Sequence, residues 1–282
     1  MNNPDKIEYE IKPKKGFSLD LKELIFHYEL FYFFTLRDIK VKYKQTLLGF
    51  LWVVLQPVIM MTIFTLFFGR AMKVPSDGAP YPIFVFSGLL LWNIFSSGII
   101  NSSSSMVSNA NILKKIYFPR LIIPISSVLV SLFDFLVSFA LFVAYLLYTI
   151  YTSDLEVSIF KTVLFLPLSL LLTIFSTIGL GCLLSALNVK YRDFRYVVPF
   201  FIQILLFLTP VIYPTSIIEM DWLKKLISLN PMTGAIGLLR HGILNTPLIM
   251  SEVILSSVSS VSFMILGIAY FKRTEAYFAD IV

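Results

Sequence analysis

Residues 36–57 read LRDIKVKYKQTLLGFLWVVLQP. Four cations, Arg37, Lys40, Lys42 and Lys44, stand immediately before an apolar segment of membrane-spanning length. Gln56–Pro57 lies in the middle of that segment, where proline removes a backbone donor and bends a helix. This run alone predicts a membrane boundary, an orientation and a break in a spanning helix. Gln56 at that depth faces protein or a pore, and a structural kink satisfied by a neighbouring helix accounts for it equally well.

The rest of the chain agrees with a bilayer as solvent. Of its 282 residues, 57% are hydrophobic and 14% charged, with a mean hydropathy of +0.82, whereas soluble domains carry about 25% charged residues. A span needs about 20 apolar residues, and six segments qualify: Leu47–Phe68, Ile83–Ser105, Leu121–Tyr151, Thr162–Leu187, Val197–Tyr213 and Leu248–Phe271. The fifth is short and holds Pro199 and Pro210. The fold class expected is an all-α integral membrane protein. Residues 1–46 form a terminal segment, 47–271 the six-helix domain and 272–282 a tail. Six spans place both termini on one side. That side carries 17 of the lysines and arginines and the other 6, so the termini are expected to be cytoplasmic. The polar opening MNNPDKIEYEIKPKK does not read as a cleavable signal peptide. The net charge of +6 is placed for a membrane surface rather than for nucleic acid.

Before the first span, Ser18–Phe34 reads as an interfacial helix, capped by Ser18 and favoured by Asp20. Leu21, Leu24, Ile25, Tyr28 and Tyr32 fall on one face, and Leu19, Phe26, Leu30 and Phe33 make a second. A helix apolar on two sides suits the headgroup layer. Ile39, Val41 and Tyr43 then alternate with Lys40, Lys42 and Lys44. With no partner strand nearby, this reads as a bent connector whose lysines reach the headgroups. Each lysine is worth ~1 kcal/mol against an anionic leaflet. They either anchor topology alone or hold an anionic lipid-linked substrate at an entrance.

Several chemistries are excluded. No G-x-x-x-x-G-K-[ST] phosphate loop occurs, so the chain is not an ATPase of that kind. With His27, His241 and the single Cys182, no His/Cys metal cluster can form, and no G-x-S-x-G elbow appears. Cys182 reads as a small buried hydrophobe. Asp134 is the one carboxylate well inside a span. Proton coupling is one reading. A structural hydrogen bond is the other, because the remaining spans offer no basic partner.

Three further stretches bear on transport. In loop 101–120, NSSSSMVSNANILKKIYFPR, Asn109–Tyr117 predicts a short helix ahead of Pro119. Ile112, Leu113, Ile116 and Tyr117 would line one side and Lys114 and Lys115 the other. Such a helix can dock in a partner's groove or be an ordinary basic loop. Residues 214–247 predict two half-helices broken at Asn230–Pro231, surface or re-entrant in placement, serving as a gate or a simple cap. Aromatics in or near the spans, among them Trp52, Trp92, Phe95, Phe200, Phe201 and Phe207, line a sugar conduit or belong to interface belts.

Taken together, the basic connector running into LLGFLWVVLQP, the ILKKIYFPR loop, NVKYRDFRY, TPVIYP and LNPMTGAIGLLR resemble the permease subunit of bacterial ABC exporters for O-antigen, capsule and teichoic-acid polymers. The resemblance covers roughly residues 25–272. It implies a homodimer in the bacterial inner membrane, paired with two copies of a separate ATPase subunit. ATP and magnesium belong to that partner, and this chain needs no cofactor or metal and has no catalytic residue. It implies ATPase coupling through Asn109, Ile112, Leu113, Lys114, Lys115, Ile116, Tyr117 and Phe118. Substrate headgroups would meet Arg37, Lys40, Lys42 and Lys44. A channel would be lined by Trp52, Gln56, Trp92, Phe95, Phe201 and Phe207, with an outer gate at Trp222, Asn230, Pro231 and Arg240. The cargo implied is a lipid-linked polysaccharide. An ABC permease for a drug or small lipid, an ion-driven secondary transporter and a membrane-embedded glycan enzyme are the competing readings.

Overall fold

The computed structural model describes residues 21–44, 49–116, 118–153, 156–275 and 278. Among them every regular element is helical: α1 (Leu21–Phe26), α2 (Tyr28–Lys44), α3 (Gly49–Phe64), α4 (Tyr81–Ser108), α5 (Ala110–Leu113), α6 (Ile122–Thr152), α7 (Ile159–Lys190), α8 (Phe194–Leu208), α9 (Asp221–Ser228), α10 (Pro231–Leu244) and α11 (Met250–Thr274). The expected cap at Ser18, the start of the first span at Leu47, Tyr117 and most of the tail after Glu275 lie outside the described residues.

Among the described residues, five helices are long and apolar enough to cross a bilayer: Leu51–Ala71, α4, α6, α7 and α11. The expected fifth span is the exception. Its helix, α8, has 15 residues, about 22 Å at 1.5 Å per residue, against a hydrocarbon core of ~30 Å. It starts earlier than expected, at Phe194, and stops before Pro210, because a residue preceding proline is pushed to extended backbone. Thr209 sits there at φ −88°, ψ 140°.

Pro57 does not break the first span as expected; α3 runs through it. The irregularity comes later. Residues Thr65–Ala71 form a π-helix, and the Met72 N–H donates to the Phe67 carbonyl, five residues back, at 2.9 Å. Gly69 lets the Tyr81 ring lie against this widened turn, since a Cβ there would fall 2.6 Å from the ring.

The bundle is built around α4. Its 18-residue apolar window is 78% buried, against 11% for the first span. Every residue from Ile83 to Trp92 is buried, as a helix apolar all round requires. Helices α3, α6, α7, α8 and α10 pack on it. On the far side of α7, α11 approaches backbone to backbone: a Cβ on Gly267 would land on the Gly179 carbonyl oxygen, and one on Gly179 would meet the backbone of Phe263 and Met264. Lipid tails give no hydrophobic drive between helices, so close approach at small residues supplies the packing. Buried hydroxyls reinforce it, with Ser260 donating to the Leu172 carbonyl at 2.8 Å and the Asn188 amide to the Ser103 carbonyl at 2.9 Å.

At one end of the bundle, Phe34, Met106, Phe118, Leu121, Val189 and Phe271 form a second apolar cluster. Helix α2 contributes Phe34 and packs along α6. The connector expected over residues 39–44 is instead the last part of this continuous helix. Without a partner strand, a helix is what satisfies its backbone groups internally. The exposed residues of α1 and α2 include Ile25, Tyr28 and Tyr32 from one expected face and Phe26 and Phe33 from the other, while Leu24, Leu30 and Phe31 pack toward the cluster.

Gly267→Val is expected to push α7 and α11 apart and to lower the thermal unfolding midpoint in detergent, a loss on the order of 1–3 kcal/mol. An unchanged midpoint would show that the two backbones do not meet there.

Candidate functional site

The residues singled out by the sequence separate to the two ends of the bundle and to two exposed helix faces. At the α2 end, the chain leaves α4 at Asn109, makes the single turn α5, and enters α6 after Pro119. Both sides of this loop are held. The Arg37 guanidinium donates to Asn109 Oδ1 at 2.8 Å, and the Asn109 amide donates to the Ser105 carbonyl at 2.8 Å. The Phe34 and Phe118 rings meet at 5.5 Å between centroids. On the other side, the Arg120 N–H donates to Glu275 Oε1 at 3.2 Å, Arg120 Nη1 donates to the Glu275 carbonyl, and Lys272 pairs with Glu275 at 3.0 Å.

The loop's helix is shorter than expected and its faces differ. Ile112 and Leu113 pack toward the second cluster and Phe118 is buried within it. Ile116 is exposed beside Lys114 and Lys115 rather than opposite them. The one-turn α5 ends at Leu113, and the Ile116 N–H donates back to the Ile112 carbonyl at 3.1 Å. The outward surface is therefore Lys114, Lys115 and Ile116, presented on an anchored frame.

The four entrance cations do not form one patch. Arg37 is engaged by Asp38 at 2.7 Å as well as by Asn109. Lys42 is ion-paired with Asp134, and the Tyr43 hydroxyl donates to the second oxygen of the same carboxylate. Lys40 and Lys44 are exposed. Asp134 thus has the basic partner that the spans alone do not provide. It comes from α2, which the sequence pattern placed at the surface. Burial and the hydrogen bond to Asp134 hold the Tyr43 phenol above its usual pKa, so it stays a donor.

The expected channel aromatics divide by exposure. A passage formed beside or between copies needs side chains that are open on the single chain. Trp52, Gln56, Phe201 and Phe207 are exposed on α3 and α8, as is Phe200. Trp92 and Phe95 are 4% and 0% exposed, their rings 5.6 Å apart inside the α4 core. They belong to packing, because the helix carrying them is covered on all sides.

At the α9 end, Arg240 is fully enclosed. Its guanidinium donates to the carbonyls of Pro210 at 2.7 Å, Val211 at 2.7 Å and Phe84 at 3.1 Å, and lies 3.5 Å over the Phe84 ring. One side chain therefore joins α10 to the start of α4 and the segment just after α8. Burial pulls its pKa down to about 9, with Asp77 and Tyr81 favouring the charge, so it is a cation at neutral pH. Asn230 caps α10 by accepting from the Met232 N–H at 3.0 Å and donates to Thr209 Oγ1 at 2.7 Å. Pro231 occupies the first helical position, where its missing N–H costs nothing. Trp222 is exposed on α9.

Residues that the sequence reading passed over complete this end. Thr215 donates to Glu252 Oε2 at 2.9 Å, and the adjacent Ser216 donates to Asp77 at 2.6 Å. Glu252 Oε1 has no protein partner among the described residues. Glu252 lines a cavity of about 30 Å³ together with Asp77, Thr215, Thr233 and Arg240, room for one water molecule. The available signal was a carboxylate at the first turn of an apolar helix, opposite the Asp77–Gly78 turn.

The profile of the ABC-2 type transporter family matches residues 29–244. An O-antigen export system permease protein RfbA from Klebsiella pneumoniae is 29% identical over 257 residues, covering 90% of this chain and 95% of that protein. One from Myxococcus xanthus is 31% identical over 201 residues, 70% of this chain and 74% of its own length. The polysialic acid transport protein KpsM of Escherichia coli is 25% identical over 211 residues, 74% of this chain and 79% of that protein. The matched region contains α2 from its second residue, the loop after α4, and α10 with Arg240.

Arg240→Met is expected to lower unfolding stability by about 2–3 kcal/mol, because buried carbonyls lose a charged donor. Arg240→Lys should recover little of it, since an ammonium lacks the guanidinium's planar fork. Thermal unfolding of the purified chain in detergent checks both, and full recovery by lysine would show that charge alone matters there.

Proposed function

The chain belongs to the ABC-2 type transporter family, and from that premise we propose that it is the permease of an ATP-driven exporter of lipid-linked polysaccharide in the bacterial inner membrane. The observation that carries this reading is the match to an O-antigen export permease over nine-tenths of the chain. The chain works with a separate ATPase, because it has no phosphate loop of its own. The α2 end lies in the cytoplasm, consistent with the cation bias of the short loops.

The ATPase docks on Lys114, Lys115 and Ile116. Their frame is anchored by Arg37 on one side and Glu275 on the other, so a push on the loop moves α4 and α6 rather than merely flexing a tether. Two copies meet through their exposed α3 and α8 faces, and Trp52, Gln56, Phe201 and Phe207 line the passage between them. Aromatic faces offer sugar rings apolar contact without demanding one sequence of sugars. Lys40 and Lys44 face the inner-leaflet headgroups. Arg240, Asn230 and Pro231 hold the outer half-helices as a gate, with Trp222 at its surface.

Lys114→Glu and Lys115→Glu combined with Ile116→Asp should abolish polymer export while the permease still inserts. ATPase recovered with the permease should drop by about tenfold, equivalent to ~1.4 kcal/mol of lost docking energy. Export would be followed by surface polymer on intact cells and docking by co-purification. Export at the normal rate by this variant would rule out the docking site, and export of a drug or small lipid in place of polymer would rule out the cargo.

A further inference from the structure

The turn between α7 and α8 contributes to none of the contacts described above. It reads Lys190, Tyr191, Arg192, Asp193 and leads into Phe194, Arg195 and Tyr196. Val189, next to it, belongs to the apolar cluster with Phe34 and Phe118, so the turn lies at the same end of the bundle as α2. The backbone is well fixed: the Phe194 N–H donates to the Tyr191 carbonyl at 3.2 Å and the Arg195 N–H to the Arg192 carbonyl at 3.3 Å. The side chains point outward. Lys190, Tyr191, Arg192, Asp193, Arg195 and Tyr196 are all exposed. Lys190 lies 5.1 Å from the Tyr191 ring centroid. Neither arginine has a side-chain partner among the described residues, in contrast to Arg37 and Lys42, which other parts of the chain already engage.

What lies above this turn gives it direction. Helix α8 rises from it toward Thr209, which accepts from Asn230 at the opposite end. Val198 and Ile202 face the bundle, and Tyr196, Phe200, Gln203 and Phe207 form an exposed row at helical spacing on another side. Two exposed guanidiniums, Arg192 just before α8 and Arg195 in its first turn, therefore lie at the foot of this track of Tyr196, Phe200 and Phe207 rings. The Arg195 N–H bond to the Arg192 carbonyl closes a turn, which keeps the two residues at close spacing. Two planar forks at that spacing can both grip a doubly anionic group with charge-assisted hydrogen bonds, which single lysines cannot do bidentately.

We propose that Arg192 and Arg195 bind the diphosphate that joins lipid to glycan, placing the first sugars at the foot of the α8 track. The proposal rests on the export reading above and assigns a subsite to it. Asp193, exposed between the two arginines, weakens the site and sets its affinity low enough for release. The same phosphate chemistry occurs in ordinary anionic phospholipids, so the test has to separate the two sources.

The probe is a polyprenyl diphosphate, titrated into the permease–ATPase complex in nanodiscs of zwitterionic lipid, with bound lipid counted by native mass spectrometry. Phosphatidylglycerol and the uncharged polyprenol are titrated in parallel. Arg192→Gln with Arg195→Gln should weaken diphosphate binding by about tenfold or more, ~1.4 kcal/mol, with little change for polyprenol. Asp193→Asn should tighten it. Undiminished diphosphate binding by the double variant overturns the proposal. An equal loss for phosphatidylglycerol overturns it in favour of bulk headgroup contact, and loss of the ATPase from the complex overturns it in favour of a protein contact. The export reading fails separately, if the wild-type chain recovers no ATPase or exports no polymer.

Discussion

Hydrocarbon offers no hydrogen bonds, so most polar groups that the described residues carry into the bundle are answered by another part of the chain, with the Ser102, Ser131 and Ser185 hydroxyls and Glu252 Oε1 among the exceptions. Arg240 shows how far that constraint reaches. Its guanidinium is held by carbonyls from the start of α4 and from the segment just after α8, so one side chain of a half-helix ties together three parts of the chain. Asp134 obeys the same rule with the opposite charge, drawing Lys42 and Tyr43 of α2 against α6. Buried serines and threonines answer the rule locally, as Thr173 does by donating to the Ser169 carbonyl one turn back. Many of the polar contacts that tie the described helices together join elements distant in sequence, as the Ser260 bond to the Leu172 carbonyl does across 88 residues.

The distribution of exposure follows from this economy. Helix α4 is enclosed, and its aromatic pair Trp92–Phe95 is interior packing. Helices α3 and α8 are held mainly along one side and present Trp52, Phe200, Phe201 and Phe207 outward. In a single chain these faces meet lipid. They are the apolar faces that the chain itself leaves open, and the passage is proposed there for that reason.

Much of this was legible in advance. The apolar lengths fixed the positions of α4, α6, α7 and α11, and Asn230–Pro231 fixed the start of α10 through well-understood capping chemistry. What escaped was whatever depended on a distant partner. The alternation Ile39–Lys44 read as a bent connector, whereas the structure has it as helix, with Lys42 ion-paired to Asp134. Trp92 and Phe95 have the same composition signal as Phe201 and Phe207, and only packing separates enclosed rings from open ones. Glu252 was passed over, because its tie to Thr215 joins positions 37 residues apart.

The enclosure of α4 also sets a timetable for synthesis. Phe84 receives Arg240 from 156 residues downstream, and ribosomes add about 5–20 residues per second. The second long helix to emerge therefore waits on the order of ten seconds before its last neighbour arrives, with its future interior facing lipid or the insertion machinery. A chaperone able to shield one lone apolar helix would have that interval in which to act.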